Sequence, residues 1–351
     1  MSGDDSLLVP DGEVLEAFGL AREPVRRATS GLINPTWFVR SAGGEPLVLQ
    51  RVNPIFSPAV NEDIAAVTEH LAAKGVLTPR LVAARSGALW VEHGGAVWRV
   101  LTFIDGENRD AVGSPAQARA AGAVLAEFHR AVGDLKHTFR NARLGVHDTV
   151  RHLQALRTAL DEHREHREMS AVQPLAMRVL ALAARLPPLT VAPDRIVHGD
   201  PKISNVMFAH GGERALCLID LDTLARMPVA LELGDAVRSW CNPAPEDAAN
   251  ARFDAALFDA AVSGYASAAG GFLTRGEWSA IPAATLTISV ELAARFCTDA
   301  LRERYFRWNP ARYASASAHN QARTRGQLQV ADRIAAQRDA LDEITARAFE
   351  K

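Results

Sequence analysis

His198-Gly199-Asp200-Pro201-Lys202-Ile203-Ser204-Asn205, followed by Leu218-Ile219-Asp220-Leu221-Asp222, decides how the rest of the chain is read. An aspartate, an asparagine five residues on and a second aspartate at the end of an apolar stretch are the parts that phosphoryl transfer needs. Asp200 can accept the proton of an attacking hydroxyl. Asn205 and Asp220 offer the hard oxygen donors that magnesium prefers. Lys202 offers a point charge for a transferred phosphoryl group, or is a solvated lysine after a proline.

The surrounding chain explains how these groups could meet. Residues 195–197 read as a short apolar strand entering the loop, and 206–208 as a strand leaving it. His210-Gly211-Gly212-Glu213 reads as a turn, because glycine supplies the positive φ of a tight hairpin. Residues 215–219 then return as a buried strand that delivers Asp220. An ordinary acidic loop beside two strands is the plainer reading of Asp200 taken alone; the whole constellation at this spacing argues against it.

The interval from Asp200 to Asn205 is that of the protein-kinase catalytic loop, but the Asp-Phe-Gly and Ala-Pro-Glu signatures and an N-terminal G-x-G-x-x-G are missing. The site resembles the aminoglycoside phosphotransferase and choline kinase superfamily, and within it the N-acetylhexosamine 1-kinase branch. Four segments carry the likeness: 31–34 (Gly-Leu-Ile-Asn), 48–53 (Val-Leu-Gln-Arg-Val-Asn), 219–223 with 234–238, and 291–299. The resemblance implies an α+β, bilobal, protein-kinase-like fold. Residues 1–104 would be a small nucleotide-binding lobe with an antiparallel sheet, and 105–351 a larger, mostly helical lobe for catalysis and substrate. It also implies an enzyme that transfers the γ-phosphate of ATP, with Mg2+, to an alcohol group, here the anomeric hydroxyl of an N-acetylhexosamine.

Roles follow from the same resemblance. His198 supports the loop. Gly31 and Asn34 belong to a segment folding over the phosphates, although a single glycine equally suits a hairpin turn. Gln50 stands where relatives carry the strand lysine, with Glu62 as the usual ion-pair partner. Gln50 brings no charge, and Arg51 points to the other face of the strand. Thr102, Phe103 and Ile104 present backbone groups to the adenine. Arg295 and Tyr305 match residues that touch the sugar, and Asp222 reaches the substrate or the metal's surroundings. Glu291, Arg295 and Asp299 recur every four residues, hence on one helix face. That face lines the sugar pocket or is an exposed salt-bridge ladder, and the aromatic run 305–308 is either pocket or core.

Composition is compatible with this picture. The 351 residues exceed the usual single-domain size. The formal net charge of −2 gives no case for nucleic acid or an anionic membrane. The N-terminus lacks a secretory pattern and no apolar run is long enough to span a bilayer, so the expected location is the cytoplasm. Cys217, Cys241 and Cys297 are expected as buried, reduced thiols.

Along the chain, strands are expected at 36–40 and 46–50, and at 89–92 and 96–104. A helix is expected to open at Ser57-Pro58 with Ser57 as its cap and to end at Gly75. Asp105-Gly106-Glu107-Asn108 reads as a hinge, and Ser114-Pro115-Ala116-Gln117 as a capping box. Helices follow over 148–186 and from about 246 onward. The rival functions are a kinase of a cationic alcohol such as choline or an aminoglycoside, and a catalytically silent binding protein on a kinase scaffold. An aromatic or acidic cage would favour the former, whereas the segment after residue 300 is rich in arginine.

Overall fold

The computed structural model describes residues 10–28, 33–140, 147–189 and 192–350. Gly31, expected near the phosphates, lies outside the described residues. The chain forms two compact units, one of residues 1–106, 134–142 and 219–224, the other of 107–133, 143–218 and 225–351.

The first unit contains helix α1 (Gly12–Ala17) and strands β1 (Arg26–Arg27), β2 (Thr36–Arg40) and β3 (Pro46–Val52). Helix α2 (Val60–Ala73) and strands β4 (Leu81–Val82), β5 (Val91–His93) and β6 (Ala96–Thr102) follow. The strands make one antiparallel sheet in the order β1-β2-β3-β6-β4, with β5 also on β6. Alternation along β2 and β3 turns Trp37, Val39, Leu47 and Leu49 into a core with Val14, Leu15, Trp98 and Val100. On the opposite face Thr36, Gln50 and Arg99 stand opposite one another across three strands, among apolar neighbours such as Phe38, Val48 and Leu101.

Helix α2 starts later than its sequence suggests. Ser57 Oγ accepts from the Ala59 amide at 3.3 Å and the Ser57 carbonyl from Val60 at 3.0 Å. Ser57 and Pro58 therefore close a turn ahead of the helix. Residues 134–142 belong to this unit through Asp63, which accepts from the Arg140 amide at 3.0 Å and lies 2.7 Å from His137 Nε2.

The second unit is mostly helical: α3 (Pro115–Val132), α4 (Thr149–Glu162) and α5 (Met169–Ala183), then α6 (Val229–Trp240), α7 (Ala255–Ala269), α8 (Arg275–Ser279), α9 (Ile281–Arg302), α10 (Ala316–Ala336) and α11 (Arg338–Phe349). Between α5 and α6 lie strands β7 (Asp194–Val197), β8 (Val206–Phe208), β9 (Ala215–Leu218) and β10 (Ala225–Pro228). Strand β7 pairs with β10, and β8 with β9 around the 209–214 turn.

Helix α3 starts at Ser114, whose hydroxyl accepts from the Gln117 amide. The Gln117 side chain accepts from Gly113 rather than from Ser114, so only half of the capping box forms. A reciprocal box appears instead at Thr274 and Glu277. Helices α3 and α7 cross in direct backbone contact. A Cβ on Gly122 would sit 2.0 Å from the Ala261 carbonyl oxygen, and one on Gly264 would sit 2.0 Å from that of Arg119. Only glycine permits this approach. The three cysteines are buried free thiols, and burial pushes Cys217 and Cys297 up to about 12. Among the described residues no helix is long and apolar enough to cross a membrane.

Candidate active site

The loop after β7 is held from behind by a chain of buried polar groups. Gly199 has φ 85°, which favours glycine, and its amide donates to Glu232 Oε1 at 2.9 Å. The other oxygen of Glu232 lies 2.7 Å from His129 Nε2. A carboxyl oxygen accepts there, which leaves His129 Nδ1 for the Tyr265 hydroxyl at 2.8 Å. Burial first, then Glu232, holds the Tyr265 phenol well above its usual range, so it remains a donor. His198 is fully buried against Phe128 and accepts at Nδ1 from the Asp200 amide at 3.3 Å. Trp240 Nε1 donates to the Pro201 carbonyl at 2.8 Å.

On the front of this support, Asp200 is half-buried. Lys202 Nζ donates to its Oδ2 at 2.7 Å. Asn205 Nδ2 donates to the Asp200 carbonyl at 2.8 Å and reaches Oδ2 at 3.3 Å. With its nitrogen so engaged, Asn205 offers its amide oxygen to a cation. Asp200, Lys202, Asn205 and His198 thus lie together.

In the first unit a second polar centre forms around Arg99. Its Nη1 and Nη2 donate to Asp222 Oδ1 and Oδ2, each at 2.7 Å, as a bidentate pair. Nε and Nη2 donate to Gln50 Oε1 at 2.9 and 2.7 Å, and Nη1 reaches Asn61 Oδ1 at 3.4 Å. Asp222 Oδ2 also accepts from Asn34 Nδ2 at 2.7 Å, and Asn34 Oδ1 from the Asn53 amide at 2.8 Å. Gln50 Nε2 donates to Thr36 Oγ1 at 3.2 Å. The positive charge that residue 50 lacks therefore stands on its cross-strand neighbour.

Several residues singled out in this unit have structural partners. Glu62 is ion-paired with Arg140, and it is Asn61 that α2 sends to the guanidinium. Asp222 is internal to the Arg99 network. Asp220 adopts the left-handed conformation, φ 64° and ψ 58°, just before the turn Leu221–Thr223. The Thr102 amide donates to the Arg80 carbonyl at 2.9 Å, and the Phe103 ring meets Phe38 edge-on. Ile104, beyond the end of β6, is half-buried.

A third polar region lies along α9. Glu291, Arg295 and Asp299 do not pair with one another as a ladder would; each is used differently. Glu291 is buried, accepts from Thr149 Oγ1 at 2.7 Å and lies 3.0 Å from His147 Nδ1. Burial alone would lower the His147 pKa, but the bond to Glu291 and the fields of Asp235 and Glu291 outweigh it and raise it. Asp235 shows the mirror case. Burial raises its pKa, but Arg238, bonded to it at 2.8 and 3.0 Å, and His147 bring it below the usual value. Asp299 accepts from the amides of Arg304, Tyr305 and Phe306 at 2.9–3.0 Å and from Asn320 at 3.0 Å. It fixes the turn after α9. Arg295 lies 6.0 Å from the Tyr305 ring and 5.8 Å from that of Phe306, and Tyr305 is 59% exposed.

Sequence reasoning missed Arg99, Asn61, Glu232 and His129. Their roles depend on strand register and helix packing across long separations, which no local motif records. Gln50 without a charge was the one available signal, pointing to a cation on a neighbouring strand.

Comparison with known proteins agrees with this architecture. Residues 24–270 match the model of the phosphotransferase enzyme family, and the chain belongs to that family. Among solved structures, it is similar to a microcompartment-associated aminopropanol kinase (TM-score 0.65, 15% identity, covering 93% of this chain and 96% of that one). It is also similar to amicoumacin kinase in complex with AMP-PNP, Ca2+ and Ami (0.62, 14%, 89% and 91%). An aminoglycoside phosphotransferase from Alicyclobacillus acidocaldarius matches as well (0.61, 16%, 96% and 97%). At these identities the likeness shows the shared α+β kinase-like fold.

Proposed function

We propose that this phosphotransferase is an ATP- and Mg2+-dependent kinase that phosphorylates the anomeric 1-hydroxyl of an N-acetylhexosamine, GlcNAc or GalNAc, in the cytoplasm. The first unit carries the nucleotide, with Asn34, Gln50 and the backbone of residues 102–104 on its side. The second unit carries the transfer chemistry and the acceptor.

Asp200 accepts or orients the acceptor hydroxyl, a contribution of typically 10²–10⁴-fold for a positioned base. Its ion pair with Lys202 holds the ammonium within reach of a transferred phosphoryl group. His198 holds the loop and does not touch the reacting atoms. Asn205 and Asp220 are the residues that would hold magnesium. Their oxygen donors fit it, since this ion takes one or two protein carboxylates or amides and fills the rest with water and phosphate. The bound ion would neutralise charge on the nucleotide phosphates.

The observation that carries the sugar reading is Arg295 set against the exposed Tyr305 ring. A guanidinium suits hydroxyl and acetamido oxygens, the aromatic face suits a sugar ring, and the same cation repels a cationic acceptor. The similarity to the aminopropanol kinase and the aminoglycoside enzyme favours an amino alcohol as the second reading. ADP release across sugars and amino alcohols separates the two. We expect turnover of the N-acetylhexosamines, with phosphorus–proton coupling to the anomeric position in the product. Arg295→Ala should raise KM for the sugar several-fold to tens-fold, as one or two hydrogen bonds of about 1 kcal/mol suggest, while KM for ATP holds. Phosphate on the 6-hydroxyl, or amino-alcohol turnover without sugar turnover, overturns the sugar reading.

A further inference from the structure

We infer that Arg99 is a positioning residue whose charge has been redirected from the nucleotide to the metal-binding segment. It clamps Asp222 and thereby holds Asp220 in its left-handed conformation. The inference rests on the metal role proposed above for Asp220.

Three observations converge. All five N–H groups of the guanidinium are engaged, two by Asp222, two by Gln50 and one by Asn61. Arg99 and Asp222 are each 1% exposed at the side chain, so the pair is an interior tie and not a surface contact. Two residues before Asp222, Asp220 has a positive φ, which a non-glycine residue keeps only where its surroundings over-determine it. Asn34 adds a third hold on the same carboxylate, and Asn34 is fixed by the amide of Asn53. A lysine at position 50 could not accept from Arg99 and would set two cations side by side. Gln50 and Arg99 therefore work as a unit, in which glutamine supplies the acceptor and arginine the planar fork that Asp222 needs.

A charge used this way acts through Asp220 on metal binding far more than on metal-free nucleotide affinity. Direct phosphate contact by Arg99 would weaken nucleotide binding with and without metal alike.

The test uses the full chain and two variants. Arg99→Lys keeps a cation without the fork. Arg99→Met with Asp222→Leu removes both charges, which a buried pair often tolerates without loss of fold. AMP-PNP binding is titrated over magnesium and in EDTA, and hydrogen exchange at residues 220–224 is followed in the metal-free protein. In both variants the magnesium needed for half-maximal binding should rise roughly 10-fold, the scale of losing a residue that orients a metal ligand. Affinity in EDTA should fall by less than the magnesium requirement rises, since Gln50 and Asn34 keep Thr36 and Asn53 as partners, and exchange at 220–224 should accelerate selectively. Unchanged exchange and magnesium requirement in a folded variant overturn the inference, and so does a parallel loss of affinity in EDTA. Should the double variant unfold, the same readings on Arg99→Lys decide. A wild-type chain whose nucleotide binding ignores metal overturns the metal reading instead, while exchange at 220–224 still reports on the clamp.

Discussion

Two turns of the second unit are each tied down by a buried acid, and they differ in what stands behind it. Glu232 grips the Gly199 amide and is itself held by His129, which meets Tyr265, so the loop bearing Asp200 rests on successive interior layers. Asp299 grips three consecutive amides after α9, but the turn beyond it carries Tyr305 and Trp308 outward, 59% and 38% exposed. The loop proposed to carry the transfer chemistry rests on a polar interior. The surface that would read the acceptor is fixed at its base and open at its tip, as variable binding surfaces commonly are.

The largest effect should fall on the first turn. Asp200→Asn should cost at least ~10² in turnover while melting at the wild-type temperature, since the carboxylate is proposed to do the chemistry and the loop is held by other groups. Near-normal kcat in a folded variant would break the assignment of that turn.

Next comes a direct contrast of the two anchors. Glu232→Ala leaves the Gly199 amide and His129 without an acceptor in the interior and should cost about 2–5 kcal/mol in urea unfolding. Asp299→Ala exposes amides nearer the surface and should cost less. It should also raise KM for the acceptor several-fold while KM for the nucleotide holds. Equal losses of stability, with kcat rather than KM changed in Asp299→Ala, would erase the distinction.

The smallest effect is a titration on the acceptor side. The folded state raises the His147 pKa, so it binds that proton more tightly than the unfolded chain. The resulting stability is complete below the unfolded value of about 6.5 and is lost as pH rises through the folded value. The melting-temperature gap between wild type and His147→Gln should therefore be widest at acid pH and narrow above neutrality. A gap that widens with pH would reverse the sign argued here.

The clustering of the loop after β7 was legible in the sequence because its groups are local: Asp200, Lys202 and Asn205 fall within six residues and fold on themselves. The strand pairs around Gly44 and around Gly94-Gly95 were legible for the same reason. What stayed hidden required register or packing. Arg99 faces Gln50 only once β3 lies on β6, 49 residues apart in sequence. Glu232 sits inside an apolar helix start with no local sign that it will receive an amide 33 residues earlier. Helical spacing did put Glu291, Arg295 and Asp299 on α9, but spacing names a face and not the partner that each residue finds there.

The exchange of a strand amine for the Gln50–Arg99 pair also changes what covalent chemistry can see. Nucleotides armed with an acylating phosphate ester report on kinases by capturing a lysine beside the phosphates. On the proposed nucleotide site such a reagent would meet an amide at residue 50 and a fully engaged guanidinium at residue 99, neither of which keeps an acyl group. The sequence has four lysines, Lys74, Lys136, Lys202 and Lys351. Lys202, paired with Asp200, is the one in the loop after β7. A label would therefore mark the transfer loop rather than the sheet, and surveys that count kinases by their strand lysine would pass this protein by.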